Sequence, residues 1–315
     1  MTKYIIALCC AVGFSDITSA AYEDTSLAGV PRVQLNNGIM MPRFGLGTFL
    51  QPSDEVCEQS VLTALKAGYR HIDTAHAYLN ERPIGRAIKA SGVPRSEIWL
   101  TSKLWPTEYG EGKTMLAIDK MLARLQVDYL DMLYIHQPVG DFVGAWKDME
   151  KAVAQGKVRA LGISNFDASD EVFAQLMDHA RVIPAALQIE CHPYAQRLEM
   201  REKVKPWGIQ IECWFPLGGA MSHGALLRDP VICAMAKAHG KSPAQIILRW
   251  HIQEGFSVIP GASNPDYINE NIRIFDFCLS DAEMEAIRAL NKEQRFFNMS
   301  LEEKRESYMK IQLPD

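Results

Sequence analysis

At 315 residues the chain is long enough for one large domain or two medium ones, and a 48% hydrophobic, 23% charged composition supplies a sizeable core and excludes a disordered chain. A formal net charge of −5 with no basic run excludes the concentrated Lys and Arg face of a nucleic-acid binder, while a small ligand, anionic ones included, stays compatible. The seven cysteines, Cys9, Cys10, Cys57, Cys191, Cys213, Cys233 and Cys278, show no CxxC pairing, so neither a zinc site nor a disulfide framework is indicated. Each reads first as a small buried hydrophobe.

At the amino terminus, Lys3 followed by the apolar run Tyr4–Phe14 and the small residues up to Ala20 reads as a secretory leader over residues 1–21, cleaved near Ala20 or Ala21. The run is too short to span a bilayer. On that reading the mature chain is periplasmic or secreted. The unpaired cysteines downstream favour the alternative, a cytoplasmic protein. No other run is long enough for a transmembrane helix, and residues 22–315 read as a single domain without a linker.

Val33–Leu35, the turn Asn36-Asn37-Gly38 and Ile39–Met41 predict a β-hairpin, because Asn-Gly supplies the positive φ of a tight turn. From there the chain alternates short apolar runs with longer stretches of helical period. The strand candidates are Phe44–Phe49, His71–Ala75, Ile98–Lys103, Leu130–His136, Val158–Ser164, Ala185–Cys191, Ile209–Phe215 and Ser257–Ala262. Between them lie amphipathic stretches such as Asp54–Ala67, Lys113–Leu125, Ala145–Gln155 and Glu171–Ala180. The fold class is therefore α/β, a (β/α)8 TIM barrel with the hairpin plugging one end. After the last strand, Ser280–Asn291 opens as a capping box with Glu283 and predicts one extra carboxyl-terminal helix.

Barrel chemistry sits at the carboxyl ends of the strands. Polar residues fall there at Asp73, Lys103, His136, Ser164–Asn165, Gln188–His192 and just after Cys213. Any one of them alone reads equally well as a cap or a satisfied core group. Their convergence is what points to a site.

The run Gly68-Tyr-Arg-His-Ile-Asp-Thr-Ala75 with Tyr78, Asn80-Glu81 and Gly85 resembles the first signature of the aldo-keto reductase family. The resemblance continues through Thr101-Ser-Lys-Leu-Trp105, Ile135-His-Gln-Pro138, Gly162-Ile-Ser-Asn-Phe166, Gln188-Ile-Glu-Cys-His-Pro-Tyr194 and Pro216-Leu-Gly218. It implies an NAD(P)H-dependent enzyme that reduces aldehydes or ketones, with Asp73, Tyr78, Lys103 and His136 as the catalytic tetrad. Tyrosine is a weak acid, with an ordinary pKa of about 10. The resemblance therefore implies that Lys103 lowers the Tyr78 pKa, that Asp73 holds Lys103 charged, and that a neutral His136 donates to the substrate oxygen.

The same resemblance places the cofactor on Thr48, Asp73, Ser164, Asn165 and Gln188, with Trp214 stacked beneath the nicotinamide. Leu217 and Gly218 pass over the pyrophosphate, and Tyr267, Glu270 and Asn271 lie at the adenosine. Relatives that prefer NADPH usually carry Lys-Ser at Gly261-Ala262 and Arg at Tyr267, so the clamp for the 2′-phosphate is missing and NADH use is expected. Phe49, Trp105 and His136 are implied for the substrate, together with the loops after His136 and Asn291, and Gln137 stands where many relatives have Trp. Relatives of this kind are often monomers. A soluble nicotinamide cofactor is chiefly intracellular, which again weighs against export.

Three rival readings remain on the sequence alone, one of them a secreted moonlighting or surface protein that rests only on the amino-terminal segment. A metal-dependent hydrolase would need His71, Asp73, His76, His136, Glu190 and His192 as ligands, but no HxH or HExxH spacing occurs and Lys103 would set a cation beside the metal. A non-catalytic sensor or auxiliary subunit binding nicotinamide dinucleotide is opposed by the complete tetrad.

Overall fold

The computed structural model describes residues 29–315. The segment read as a leader, 1–21, lies outside the described residues. The described chain opens with β1 (Arg32–Gln34) and β2 (Met40–Pro42), an antiparallel pair in which Val33 faces Met41. Gly38 turns the corner at φ +83°, a left-handed conformation that costs glycine nothing. The hairpin packs on the amino-terminal end of the barrel: Val33, Leu35 and Met41 share a buried cluster with Trp99, Met132, Tyr134, Ala160 and Ala186. Asn36 Nδ2 donates to the carbonyls of Pro184 (2.9 Å) and Trp207 (3.2 Å), which pins the plug to the loops there.

Eight parallel strands follow in chain order: β3 (Leu46–Gly47), β4 (His71–Asp73), β5 (Trp99–Leu104), β6 (Leu130–Ile135), β7 (Val158–Ser164), β8 (Ala186–Glu190), β9 (Gln210–Trp214) and β10 (Ser257–Val258). Every residue of β5 and β6 is buried, as expected where helices cover one face and the barrel interior the other. Parallel bridges Phe44–Val258 and Gly47–Gly261, with Gly45 N–H donating to Val258 O at 3.0 Å, join the last strand to the first. At this seam the strands are shorter than the predicted Phe44–Phe49 and Ser257–Ala262. Pro260 has no N–H to give, and Leu50 turns away at φ +60°. A Cβ on Gly47 would stand 2.7 Å from Ile259 O, so only glycine fits there.

The helices are α1 (Asp54–Ala67), α2 (Glu81–Ala90), α3 (Thr114–Leu125), α4 (Phe142–Ala154), α5 (Asp170–His179), α6 (Leu198–Val204), α7 (Pro230–His239), α8 (Pro243–Gln253) and α9 (Pro265–Asn271). Helix α4 starts three residues ahead of the predicted Ala145, because the Asp141 carboxylate accepts the Gly144 N–H at 2.9 Å and caps it. Gly68 ends α1 at φ +102° and gives its N–H to Ala64 and Leu65, turning the chain directly into the strand that carries Asp73.

Past the barrel the Ser280–Glu283 capping box starts α10 (Asp281–Arg288), as read from the sequence. A second helix, α11 (Leu301–Tyr308), was not anticipated. Its sequence LEEKRESY carries no apolar stripe, so periodicity gave no signal, although Ser300 and Glu303 form a further capping box. Among the described residues no helix is long and apolar enough to cross a membrane.

Candidate active site

Three successive strand ends and one turn build the centre. Asp73 closes β4, Lys103 lies next to the end of β5, and His136 follows β6 directly. Tyr78 sits in a 3-10 turn, His76–Tyr78, held by two buried polar residues of the first motif. Asn80 donates from Nδ2 to Thr48 O (2.8 Å) and accepts from Thr74 Oγ1 (2.6 Å), which sews this turn to the β3 end. Buried Glu81 accepts from Ser102 Oγ and Arg124 Nε, both at 2.6 Å. These motif residues are therefore posts that aim Tyr78 rather than reacting groups.

Lys103 is fully buried, and its Nζ donates to Asp73 Oδ1 (2.6 Å) and Thr74 O (2.8 Å) while lying 5.0 Å from the Tyr78 ring centre. Burial alone would depress the ammonium, but Asp73 and Tyr78 overcome it and leave the Lys103 pKa above its ordinary value. Lys103 is thus a standing cation, as expected. At Tyr78 two effects oppose each other. Burial raises the Tyr78 pKa more than the neighbouring Lys103 lowers it, with Asp73 raising it further, so the residue rests as a phenol. Lys103 acts in the expected direction, and desolvation outweighs it. His136 makes no side-chain hydrogen bond; burial, then the charges of Lys103 and Lys304, hold its pKa well below 6.5, so the ring is neutral. Tyr78 and Trp105 meet it edge-on at 5.7 and 5.5 Å.

Under this centre lies a carboxylate that sequence reading missed. Gln188 Nε2 donates to Asp73 Oδ2 (2.8 Å) and to Glu212 Oε2 (2.6 Å), and Tyr134 OH also donates to Glu212 (3.0 Å). Strand alternation puts Glu212 on the same face as Trp214, which was the available signal. The arrangement fixes the Gln188 amide: its nitrogen is spent on two acceptor-only carboxylates, so its oxygen is the free end.

Asn165 and Ser164 lie beside this free oxygen at the neighbouring strand end. Asn165 Nδ2 donates to His136 O and Ser164 Oγ, both at 3.1 Å, leaving Asn165 Oδ1 and the Ser164 hydroxyl proton available. Two acceptors and one donor on adjacent strand ends complement a carboxamide, and the residues fit a nicotinamide. Trp214 borders the same opening, half-buried, its Nε1 without a partner. Phe215, in the left-handed region at φ +49°, packs against Trp214 (4.9 Å) and Phe49 (6.3 Å), extending an aromatic wall. Gly218 follows at φ +85°, where a Cβ would strike Ser222. Thr48 is buried with its hydroxyl donating to Asp73 O (2.9 Å), so it acts on the cofactor side only as an acceptor or through Asp73.

Farther out, Gly261 lies at the β3–β10 seam and Tyr267 on α9 is 60% exposed. Glu270 accepts from Ser242 Oγ at 2.5 Å, which turns its carboxylate toward α8, and Asn271 is buried. On the opposite side, Phe49 packs tilted against Tyr78 (4.9 Å), Trp105 against Tyr308 (4.9 Å), and Phe297 lies 5.9 Å from Trp214. The carboxyl-terminal segment thus walls the cleft, and Gln137 is buried beside it with Oε1 unpartnered.

The residue types of the hydrolase reading are dispersed among other partners. Asp73 is taken by Lys103, His76 by Glu108 Oε1 (2.7 Å) and Pro314 O (2.9 Å), and His192 by Glu190 (3.1 Å). Elsewhere among the described residues Cys191, Cys213 and His251 bring ligand atoms within 4.8 Å of one another. Both His251 nitrogens already face backbone carbonyls, of Ile247 at 2.8 Å and of Cys191 at 3.1 Å.

The profile of the Aldo/keto reductase family matches residues 43–292. The chain belongs to the aldo-keto reductase family. It is 44% identical over 268 residues to an aldo-keto reductase of Mycolicibacterium smegmatis, covering 84% of this chain and 95% of that one. It is also 44% identical over 264 residues to glyoxal reductase of Bacillus subtilis, covering 84% and 94%. A crystal structure of a Bombyx mori aldo-keto reductase in complex with NADP superposes with a TM-score of 0.80 at 32% identity, over 86% of this chain and 95% of that one. As an aldo-keto reductase the protein is an NAD(P)H-dependent oxidoreductase of carbonyl compounds, and the eight-stranded barrel is the fold these relatives share.

Proposed function

We propose that this aldo-keto reductase reduces small polar aldehydes or ketones with Tyr78 as the proton donor to the carbonyl oxygen. The carrying observation is Lys103 Nζ fixed between Asp73 Oδ1 and Thr74 O, with the Tyr78 ring 5.0 Å away. A nicotinamide, when bound, supplies the hydride. The residues do the rest. Tyr78 rests as a phenol, so it has a proton to give at neutral pH, and the Lys103 charge stabilises the phenolate left behind. His136, being neutral, offers an N–H to the same oxygen without competing for its proton. Gln188 and Asn165 accept from the carboxamide and Ser164 donates to it, which selects the face of the ring presented to substrate. Phe49, Trp105 and Tyr308 exclude water from the reacting atoms.

NADH is accepted in this reading. The lack of any cation or hydroxyl at Gly261 and Ala262, and an exposed Tyr267 ring in place of a guanidinium, supports a weakened hold on a 2′-phosphate. Glu270 and Asn271 keep the residue types that the resemblance assigns to the adenine. A panel of carbonyl substrates followed at 340 nm with both cofactors tests the whole: no reduction of any carbonyl defeats the enzymatic reading, and an NADPH preference above roughly a hundredfold, the scale of a lost charge-assisted clamp, defeats the cofactor reading. For residues 1–21 we propose removal on export. The mature amino terminus, read by mass spectrometry, decides it, an intact Met1 being the contrary result.

A further inference from the structure

Helix α11 buries one residue, and it is a lysine. Lys304 is only 1% exposed, on the face of α11 that also carries Leu301 and Tyr308, three residues before and four after. Tyr308 packs tilted against Trp105 at 4.9 Å and Trp105 meets His136 edge-on at 5.5 Å, so this face looks into the substrate side of the cleft. A buried ammonium is costly unless paired. Yet among the described residues no carboxylate comes within salt-bridge distance of Lys304 and no acceptor meets its Nζ.

The neighbouring charges do not balance it either. Asp167, the carboxylate whose field Lys304 feels most, is already bound by Arg197 and by Arg295 at 3.0 Å. Glu190 accepts from the N–H groups of Phe296 (2.6 Å) and Phe297 (3.2 Å) and from His192, with Arg295 at 3.8 Å. Three cations, Arg197, Arg295 and Lys304, therefore stand against two carboxylates, Asp167 and Glu190. The surplus charge lies at the cleft, where the field of Lys304 also reaches His136.

We infer that Lys304 is a substrate-recognition residue that binds an anionic oxygen group, a carboxylate or a phosphate, carried by the carbonyl substrate. The ammonium then gains the partner it lacks, and the carbonyl is steered toward Tyr78 and His136 by its charged end. Keto acids, aldehyde acids and sugar-derived keto acids or phosphates are the matching class. This rests on the reductase reading above and narrows it.

The test compares kcat/KM for matched pairs with the purified full chain: succinic semialdehyde against butanal, 4-carboxybenzaldehyde against 4-methylbenzaldehyde, and glyceraldehyde 3-phosphate against glyceraldehyde. The expected result is a preference of roughly ten- to a hundredfold for at least one anionic partner, carried mainly by KM, as a charge-assisted hydrogen bond predicts. The first two pairs against the third separate carboxylate from phosphate. Lys304→Met should reduce the anionic-to-neutral ratio at least tenfold, and Lys304→Arg should retain most of it. Wild-type enzyme that reduces the neutral aldehydes but shows no anionic preference overturns this inference alone, and so does a ratio unchanged in Lys304→Met. Where Lys304→Met fails to fold, Lys304→Gln takes its place, and a ratio unchanged in that variant overturns the inference equally. Failure to reduce either member of every pair strikes the reductase reading instead.

Discussion

Lys103 Nζ stands 2.6 Å from Asp73 Oδ1 with 0% and 2% of their side chains exposed, a buried ion pair that supports the acid at the centre of the cleft. Removing one partner of such a pair strands a charge in low dielectric, at a cost of about 3–5 kcal/mol, whereas removing both costs much less. Lys103→Met should therefore be destabilised by that amount in urea denaturation, and Lys103→Met combined with Asp73→Asn should recover a large part of the loss. Strictly additive losses would mean that the two side chains do not depend on each other.

Tyr78 gives a kinetic prediction. Tyr78→Phe removes the only hydroxyl in the turn that faces both Lys103 and His136, and kcat should fall by about 10²–10⁴, the range for losing a general acid. Cofactor binding, followed by quenching of tryptophan fluorescence, should survive because the phenol is not among the carboxamide contacts. A Tyr78→Phe enzyme with undiminished kcat would remove Tyr78 from the chemistry and favour a binding role for the fold.

His136 adds a pH test to the same site. With its pKa well below 6.5, it holds no proton to lose as pH rises through the neutral range. The reductive kcat/KM should be level from pH 6 to 8, with no inflection near the ordinary histidine pKa of about 6.5. An inflection there that vanishes in His136→Asn would show the ring to be charged in the resting enzyme.

What the sequence displays and what it hides follow from the range of the interactions. The strand ends carrying Asp73, Lys103 and His136 are legible because local period and turn residues place them, and the barrel then brings them together. The Ser280 capping box is equally local. Glu212 was hidden because its partners Gln188 and Tyr134 are 24 and 78 residues away, and nothing near it in the chain announces them. Lys304 was hidden for a different reason: a helix of polar composition reads as a solvated face, and only packing shows that its lysine points inward. The Tyr78 pKa turned on a balance between burial and a neighbouring charge, and burial is a property of the folded chain alone.

The cofactor end can be rebuilt. A Cβ at Gly261 meets nothing closer than Gly47 O at 3.5 Å, and Tyr267 is on the surface of α9, so both positions have room. The triple variant Gly261→Lys, Ala262→Ser, Tyr267→Arg supplies two cations and a hydroxyl for a 2′-phosphate. The ratio of kcat/KM for NADPH over NADH should rise at least about tenfold, since one charge-assisted hydrogen bond contributes on the order of 1.5–3 kcal/mol. A ratio that does not move would place the 2′-hydroxyl end of the cofactor away from this loop.

His71 sets an acid limit on the fold. Its ring is buried among Pro42 O and Thr101 Oγ1, each at 3.2 Å, and Glu212 Oε1 at 3.6 Å. Burial lowers its pKa from 6.5 to about 4, against the opposing pull of Asp73, the Pro42 carbonyl and Asp131, with Lys103 adding to the drop. The folded state therefore binds this proton less readily than the unfolded chain. The stability it contributes is complete above about pH 6.5 and is lost as pH falls toward about 4, a total of about 3 kcal/mol. Asp73 and Glu212, whose pKa values burial raises, work in the opposite sense, so the wild-type curve alone mixes the contributions. The difference between wild type and His71→Gln isolates the histidine: the variant should lose about 2–3 kcal/mol less stability between pH 7 and pH 4 in urea melts. Parallel stability curves for the two proteins would show that His71 carries the same proton in both states.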